Sequence, residues 1–309
     1  MPDVRLAAVV CCLCAAAQWP ASLTAQQRKS VVCDDTGRCL MGWNFEAVVG
    51  TPRKDVRAAA DVWLVELGKA HGLRAASHIY DNIHDIVADF GAGKLDMVGG
   101  TALDYLYLDE RFEVEVAFVG MRHGRKAASY RVLARADSGV EGVKDLHGKR
   151  LAMKKGEDVG LLYLNVLLLR ERLGEAPSVF GSIQRTQKYS RAVLAVFFGK
   201  ADACIVREDV WETMVALNPQ IGRRLKVLAS SPELVDRVLF FRKAYNQELK
   251  DLILRQAVCL NETPAGMQLL TLFRMDSTAL LRESDLDSVR DLLKEYRELG
   301  GGNQIAAGN

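Results

Sequence analysis

The chain has 309 residues, 49% of them apolar and 26% charged, with 41 Lys and Arg against 39 Asp and Glu. This length allows about two ordinary globular domains of roughly 100–200 residues each. The apolar content excludes global disorder, and 7 Cys and 7 Pro in 309 residues exclude a disulfide-stapled or collagen-like chain. A net charge of +2 gives no general attraction to nucleic acid or anionic lipid, so no nucleic-acid partner is expected.

The first 25 residues have the layout of a secretory signal peptide. Arg5 precedes the apolar run Leu6–Ala17, a Trp-Pro break follows, and small residues end at Ala25. Cleavage near Ala25 is expected, giving an exported, soluble chain. A lipoprotein at Cys12 or Cys14 is disfavoured by Cys11 and Leu13 just before them, and an uncleaved anchor is the plain alternative. No later stretch reaches the ~18 apolar residues a span needs. Cys33 and Cys39 enclose Asp-Asp-Thr-Gly-Arg, a turn-forming loop, so a local disulfide is expected there rather than a metal or redox pair. Buried thiols are expected at Cys204 and Cys259.

Strands and helices then alternate. Strands are predicted at Trp43–Gly50, Leu73–Tyr80 and Leu95–Val98, with helices at Lys54–His71 and Ile83–Phe90. Thr101-Ala-Leu-Asp104 reads as a capping box opening a further helix. Val114–Val119 and Tyr130–Ala134 follow as strands. A second cycle takes strand Arg150–Met153, helix Val159–Leu173, a strand near Ser178–Phe180, helix Ser190–Phe198, strand Asp202–Val206 and helix Glu208–Leu217. Two strands, Leu225–Ala229 and Val238–Arg242, and three helices, Gln247–Leu260, Pro264–Arg274 and Ser284–Leu299, end the chain. This order predicts an α/β, two-lobed architecture, each lobe a doubly wound, mostly parallel sheet, with C-terminal helices. The expected division is signal peptide 1–25, an extension with the disulfide loop 26–42, lobe 1 from 43–134 and 230–299, lobe 2 from 135–229, and a frayed tail 300–309. Tyr130–Ala134 and Leu225–Arg242 are the expected crossings between lobes. Ligands of such sheets sit beyond the carboxyl ends of the strands.

Several segments resemble the periplasmic phosphonate/phosphate/phosphite-type substrate-binding proteins of ABC transporters. The matching pieces are Ala92-Gly-Lys-Leu-Asp96, Ser129-Tyr-Arg-Val-Leu-Ala134, Asp145-Leu-His-Gly-Lys-Arg-Leu-Ala152, Ala192 to Ala203, Ser230-Ser-Pro and Thr263-Pro-Ala-Gly266, together spanning about 43–297. The resemblance implies a bacterial, periplasmic, monomeric binding protein that closes two lobes on a small polar or anionic ligand. It would deliver that ligand to a membrane permease and need no cofactor.

The implied ligand positions are changed. Where the family has Ser-Thr-Ser-Gly opening a helix, this chain has Glu157-Asp158-Val159-Gly160. Asp158 is expected to cap that helix, while Glu157 either caps it or meets a cationic or hydroxyl-bearing ligand. Lys154 and Lys155 are placed to offset both carboxylates. The aromatic expected after strand Leu95–Val98 falls on Gly99 or Gly100, the expected His on Tyr189, and an acidic or amide position on Arg207. The expected mouth therefore holds Thr51, Gly100, Thr101, Glu157, Asp158, Tyr189 and Arg207. Gly100 and Thr101 offer a helix N-terminus for an anion. Arg207 either clamps an anion or pairs with Glu157 or Asp158. A sensory or redox-accessory module is the alternative to transport.

No enzyme signature competes. The five His show no metal spacing, and no nucleophile elbow or phosphate loop occurs. Glu157 and Asp158 are adjacent, whereas glycosidase carboxylates must flank a bond.

Overall fold

The computed structural model describes residues 38–45, 52–71 and 74–302. The signal peptide, Cys33, Thr51 and residues 303–309 lie outside the described residues.

The first sheet collects β1 (Arg38–Asn44), β2 (Arg74–Tyr80), β3 (Met97–Thr101), β4 (Val114–Met121), β10 (Arg237–Arg242) and β11 (Ser277–Leu280), in the order β11-β4-β10-β3-β1-β2. β1 is parallel to β2 and β3, β10 is antiparallel to β3 and β4, and β11 is antiparallel to β4. Four strands thus point one way. Neighbouring side chains alternate between two cores, as a period of two requires. Met97 and Phe241 join α1 (Arg53–His71), α9 (Gln247–Val258) and α10 (Pro264–Phe273) on one face. Val98 and Phe240 join α2 (Ile83–Gly91) and α3 (Ala102–Asp109) on the other.

The second sheet holds β5 (Tyr130–Arg135), β6 (Arg150–Lys154), β7 (Ser182–Thr186), β8 (Ala203–Arg207) and β9 (Leu225–Ser230), in the order β7-β6-β8-β5-β9. Here β6 is parallel to β7 and β8, while β5 runs antiparallel to β8 and β9. Helices α4 (Asp158–Arg170) and α5 (Ala176–Val179) cover one face; α6 (Tyr189–Phe197), α7 (Glu208–Leu217) and α8 (Pro219–Arg224) lie on the other side. The last helix, α11 (Asp287–Glu298), packs on α4 and also touches α3. Among the described residues no helix is long and apolar enough to cross a membrane.

Several local expectations are corrected. The first strand begins at Arg38, not Trp43, because Cys39, Met41 and Trp43 form its buried stripe; it occupies the end of the expected extension. Tyr130–Ala134 and 225–230 belong to the second sheet, so the chain changes sheet in residues 122–129 and 231–236. There Ala128 bridges Leu234, and Tyr130 N donates to Ser231 Oγ at 2.8 Å. Residues 176–179, expected near a strand, form a helical turn with Pro177 at its start. The strand itself is β7, whose mostly exposed Ser-Ile-Gln-Arg-Thr carries no apolar signal. β11 and α8 were not expected. The disulfide expected at Cys33 and Cys39 is not seen: Cys39 is a free, buried thiol pushed up to about 12 by its burial. Cys204 is likewise free and buried, and Cys259 is free and half-buried.

Candidate functional site

The carboxyl ends of β1, β3, β6 and β8, with the residues following β7, meet at a cleft of about 540 Å³ that takes residues from both sheets. Its charged lining is Arg122, Arg125, Lys126, Lys154, Lys188, Arg207, Arg237 and Arg274 against Asp209, Asp236 and Asp276. A chain that is nearly neutral overall thus concentrates positive charge at one place.

The two helix starts at this cleft differ. At α3 the expected capping box is present: Asp104 N donates to Thr101 Oγ1 at 3.1 Å, and Thr101 N donates to Asp104 Oδ2 at 2.7 Å. Asp104 Oδ2 also accepts from Asn44 Nδ2 at 2.9 Å. The buried Asp104 carboxylate therefore holds the place expected for a ligand anion at Gly100 and Thr101. A Cβ on Gly100 would sit 2.6 Å from Asp104 Oδ2, and one on Gly99 would sit 2.5 Å from Trp43 Cε3. These glycines are required by close packing, and the Trp43 indole takes the space where the family resemblance implied an aromatic.

At α4 the residue before the helix is Glu157, yet no side chain caps the helix there. Glu157 is buried, and its Oε2 accepts from the Tyr189 hydroxyl. Its Oε1 has no hydrogen-bond partner. Asp158 is the half-buried first residue of α4 rather than its cap. Burial, reinforced by the charge of Asp236, raises the Glu157 pKa above the usual carboxylate value.

Arg207 pairs with neither Glu157 nor Asp158. It forks onto Asp209, with Nε to Oδ1 at 3.1 Å and Nη2 to Oδ2 at 3.0 Å. Burial is the largest influence and works against the Arg207 charge, but the Asp209 hydrogen bonds and the negative charge of Asp209 and Asp236, with Tyr130, together raise the pKa. Burial pushes Asp209 up, but the Arg207 hydrogen bonds and charge, the Val210 N–H and the charge of Arg122 together lower it.

The structure adds Asp236, Arg237, Arg122 and Tyr130 to this group. Asp236 is buried and neither carboxylate oxygen makes a hydrogen bond; Arg237 Nη1 lies 3.3 Å from Oδ2. Burial would raise its pKa, but Arg237, Arg207, Lys154 and Arg122 together hold it below the ordinary value. Arg122 Nη2 donates to Phe273 O at 2.9 Å, and Lys154 Nζ to Lys155 O at 3.1 Å. Both cations spend these bonds on carbonyls rather than carboxylates. Burial, then repulsion from Arg237 and Arg207, pushes Arg122 down to about 10; burial and Arg237 also lower Lys154. Tyr130, the fully buried first residue of β5, has a pKa raised by burial and by the charges of Asp236 and Glu157. No cluster of three or more metal-ligating His, Cys, Asp or Glu occurs among the described residues.

Of the expected mouth residues, Gly100, Tyr189 and Arg207 line the cleft, and Glu157 stands just behind Tyr189. Thr101 is a cap, Asp158 is in the first turn of α4, and Thr51 is outside the described residues. Arg122 and Asp236 lie in segments that change sheet, where no periodicity marks a site, and Arg237 opens β10 just after one of them. The charged pair Asp236-Arg237 just ahead of an apolar strand was the available signal.

Two mixed sheets with a cationic cleft at their strand ends define a two-lobed α/β solute-binding protein. The family model described as "ABC transporter, phosphonate, periplasmic substrate-binding protein" matches residues 50–286. The chain belongs to that family, whose members bind a small ligand and serve an ABC permease. Among solved structures, XAC2383 from Xanthomonas citri bound to chloride ion is 13% identical over 85% of this chain and 99% of that one, with a TM-score of 0.65. A binding protein component of an ABC phosphonate transporter from Pseudomonas aeruginosa is 14% identical over 85% and 87%, with a TM-score of 0.60. PhnD1 from Prochlorococcus marinus in complex with methylphosphonate is 16% identical over 86% and 99%, with a TM-score of 0.59. No curated protein matches the chain in sequence. The sensory or redox-accessory alternative finds no support among these relatives.

Proposed function

We propose that the cleft binds the headgroup of a phosphonate-class oxyanion and that the chain carries it through the periplasm to its permease as an exported, non-catalytic monomer. The observation that carries this reading is the state of Arg122 and Lys154. Two cations line an open cleft and spend their hydrogen bonds on carbonyls, while Arg207 and Arg237 stand beside them. An oxyanion offers such groups charge-assisted bonds at little cost in reorganisation. This replaces the hydroxyl-rich helix start implied by the family resemblance with a floor of basic side chains. In this reading the segment up to Ala25 is the export signal and is removed.

Thermal-shift screening followed by calorimetry tests the proposal with methylphosphonate, phosphite, phosphate and sulfate, and with alkylamines as the opposite charge. A ligand at a hundredfold excess over its dissociation constant adds about 2.7 kcal/mol. For a chain of this size that raises Tm by roughly 4–5 °C. A response to amines and none to any oxyanion would overturn the reading. Turnover of a bound compound would end the non-catalytic part.

A further inference from the structure

The cleft does not stop at its charged floor. On the side of the first sheet it continues as an apolar arm between Trp43 of β1, Phe118 of β4 and Leu239 of β10 on one side, and Trp63 of α1 with Leu272 and Phe273 of α10 on the other. Trp43 stacks on Phe273 with ring centroids 5.6 Å apart, and Trp63 meets Phe118 edge-on at 6.4 Å. Leu239, Leu272 and Phe273 remain half-buried. Trp43 is 7% exposed and its Nε1 has no hydrogen-bond partner. A buried indole N–H without an acceptor is unusual in a finished core.

The geometry points to an amphiphilic ligand: an oxyanion whose headgroup rests among Arg122, Lys154, Arg207 and Arg237, and whose hydrocarbon substituent extends into the arm beside Trp43. This rests on the oxyanion reading of the cleft and specifies its substrate class. Three observations support it. The volume of about 540 Å³ lies within the ~300–1,000 Å³ of sites for drug-sized ligands, so a bare phosphonate leaves most of the cleft unfilled. The polarity is segregated: the charged groups cluster where the two sheets meet, while the aromatic and aliphatic lining comes almost wholly from the first-sheet side. The arm is also continuous with the cationic floor, so one molecule can occupy both. Arg122 joins the halves, because its guanidinium lines the floor and bonds the carbonyl of Phe273 in the arm.

The test is a homologous series on the full chain: methyl-, propyl- and hexylphosphonate, with hexan-1-ol as the uncharged control, read by calorimetry and by the fluorescence of Trp43 and Trp63. Dissociation constants are expected to fall with chain length, by up to about fourfold per methylene, the full transfer value of a buried CH₂. Hexylphosphonate shifts the tryptophan emission and methylphosphonate does not. Leu272→Asn lowers the ratio of hexyl to methyl affinity at least tenfold, whichever way methylphosphonate itself moves. Equal affinity along the series overturns the amphiphile and leaves the oxyanion reading standing. Silence from every phosphonate overturns both. Hexan-1-ol binding as tightly as hexylphosphonate overturns the joint occupancy of floor and arm.

Discussion

Two helices begin at the same cleft, each with a carboxylate nearby, and the two carboxylates do opposite things. Asp104 at α3 accepts from a backbone N–H and a side-chain amide, and its own N–H is capped in return, so its charge is consumed by the helix start. Glu157 at α4 turns from the backbone to the Tyr189 hydroxyl and leaves the helix without a side-chain cap. Asp236 stands between them: its carbonyl accepts Ala102 N of α3 at 2.8 Å, while its carboxylate balances the cations near α4. A carboxylate beside a helix N-terminus is therefore no guide to function by itself. What separates the two is whether local donors satisfy it.

The sharpest way to break this contrast is at Asp236. Asp236→Asn leaves Arg237, Arg207, Lys154 and Arg122 mutually repelling in a buried place, and breaking such a pairing costs about 3–5 kcal/mol. A Tm loss on the order of 10 °C is expected by scanning fluorimetry. Phosphonate is expected to restore part of it; an unchanged Tm would show that Asp236 does not balance the cluster. Next comes Lys154→Met, which removes a cation that burial already disfavours. Oxyanion affinity is expected to fall at least tenfold, the value of about 1.5 kcal/mol for a charge-assisted hydrogen bond, while unfolding stability is kept. Undiminished affinity by calorimetry would take Lys154 out of the site.

Asp104→Ala addresses the other helix. Losing the cap is expected to cost about 1–2 kcal/mol in urea unfolding with ligand affinity unchanged. A parallel loss of affinity would make the two helix starts alike after all. The smallest effect is expected from Glu157→Gln. The folded-state pKa of Glu157 is raised, so folding favours its protonated form. Its contribution to stability is fully present below the unfolded value of about 4.3 and is lost as pH rises through the folded one. Wild type and Glu157→Gln should therefore match in acid, with the variant gaining as pH rises toward neutral. A pH-independent difference would place the cause elsewhere. Asp236 has the opposite sign: its lowered pKa gives stability that is present above about 3.9 and is lost as pH falls through its folded value.

What could be read from the sequence follows the range of each interaction. The Thr101–Asp104 box was legible because its bonds span three residues, and the α/β alternation because apolar periodicity is local. Glu157 and Tyr189 were named separately, and the fold joins them across 32 positions. Arg207 meets Asp209, two residues on, only because the chain turns from β8 into α7 between them; in extended backbone such neighbours on one face diverge, so the spacing alone does not mark the pair. Arg122 and Asp236 were invisible for a different reason: they sit where the chain passes between sheets, outside any regular element. β7 hid because an edge strand with mostly solvated side chains has no apolar stripe.

The final helix, α11, begins just past the segment that matches the family. Arg297 reaches Glu110 and Arg290 reaches Asp109, both at the end of α3, while Glu295 binds Arg170 of α4 and Tyr296 donates to Glu175 beyond it. One rod thus fastens the two halves: Val289, Leu292 and Tyr296 seat it in the shared core, and the ion pairs form a mostly solvated rim around that seam. Added electrolyte weakens the rim and leaves the apolar seam intact, so the join is built to hold across a wide range of saltiness.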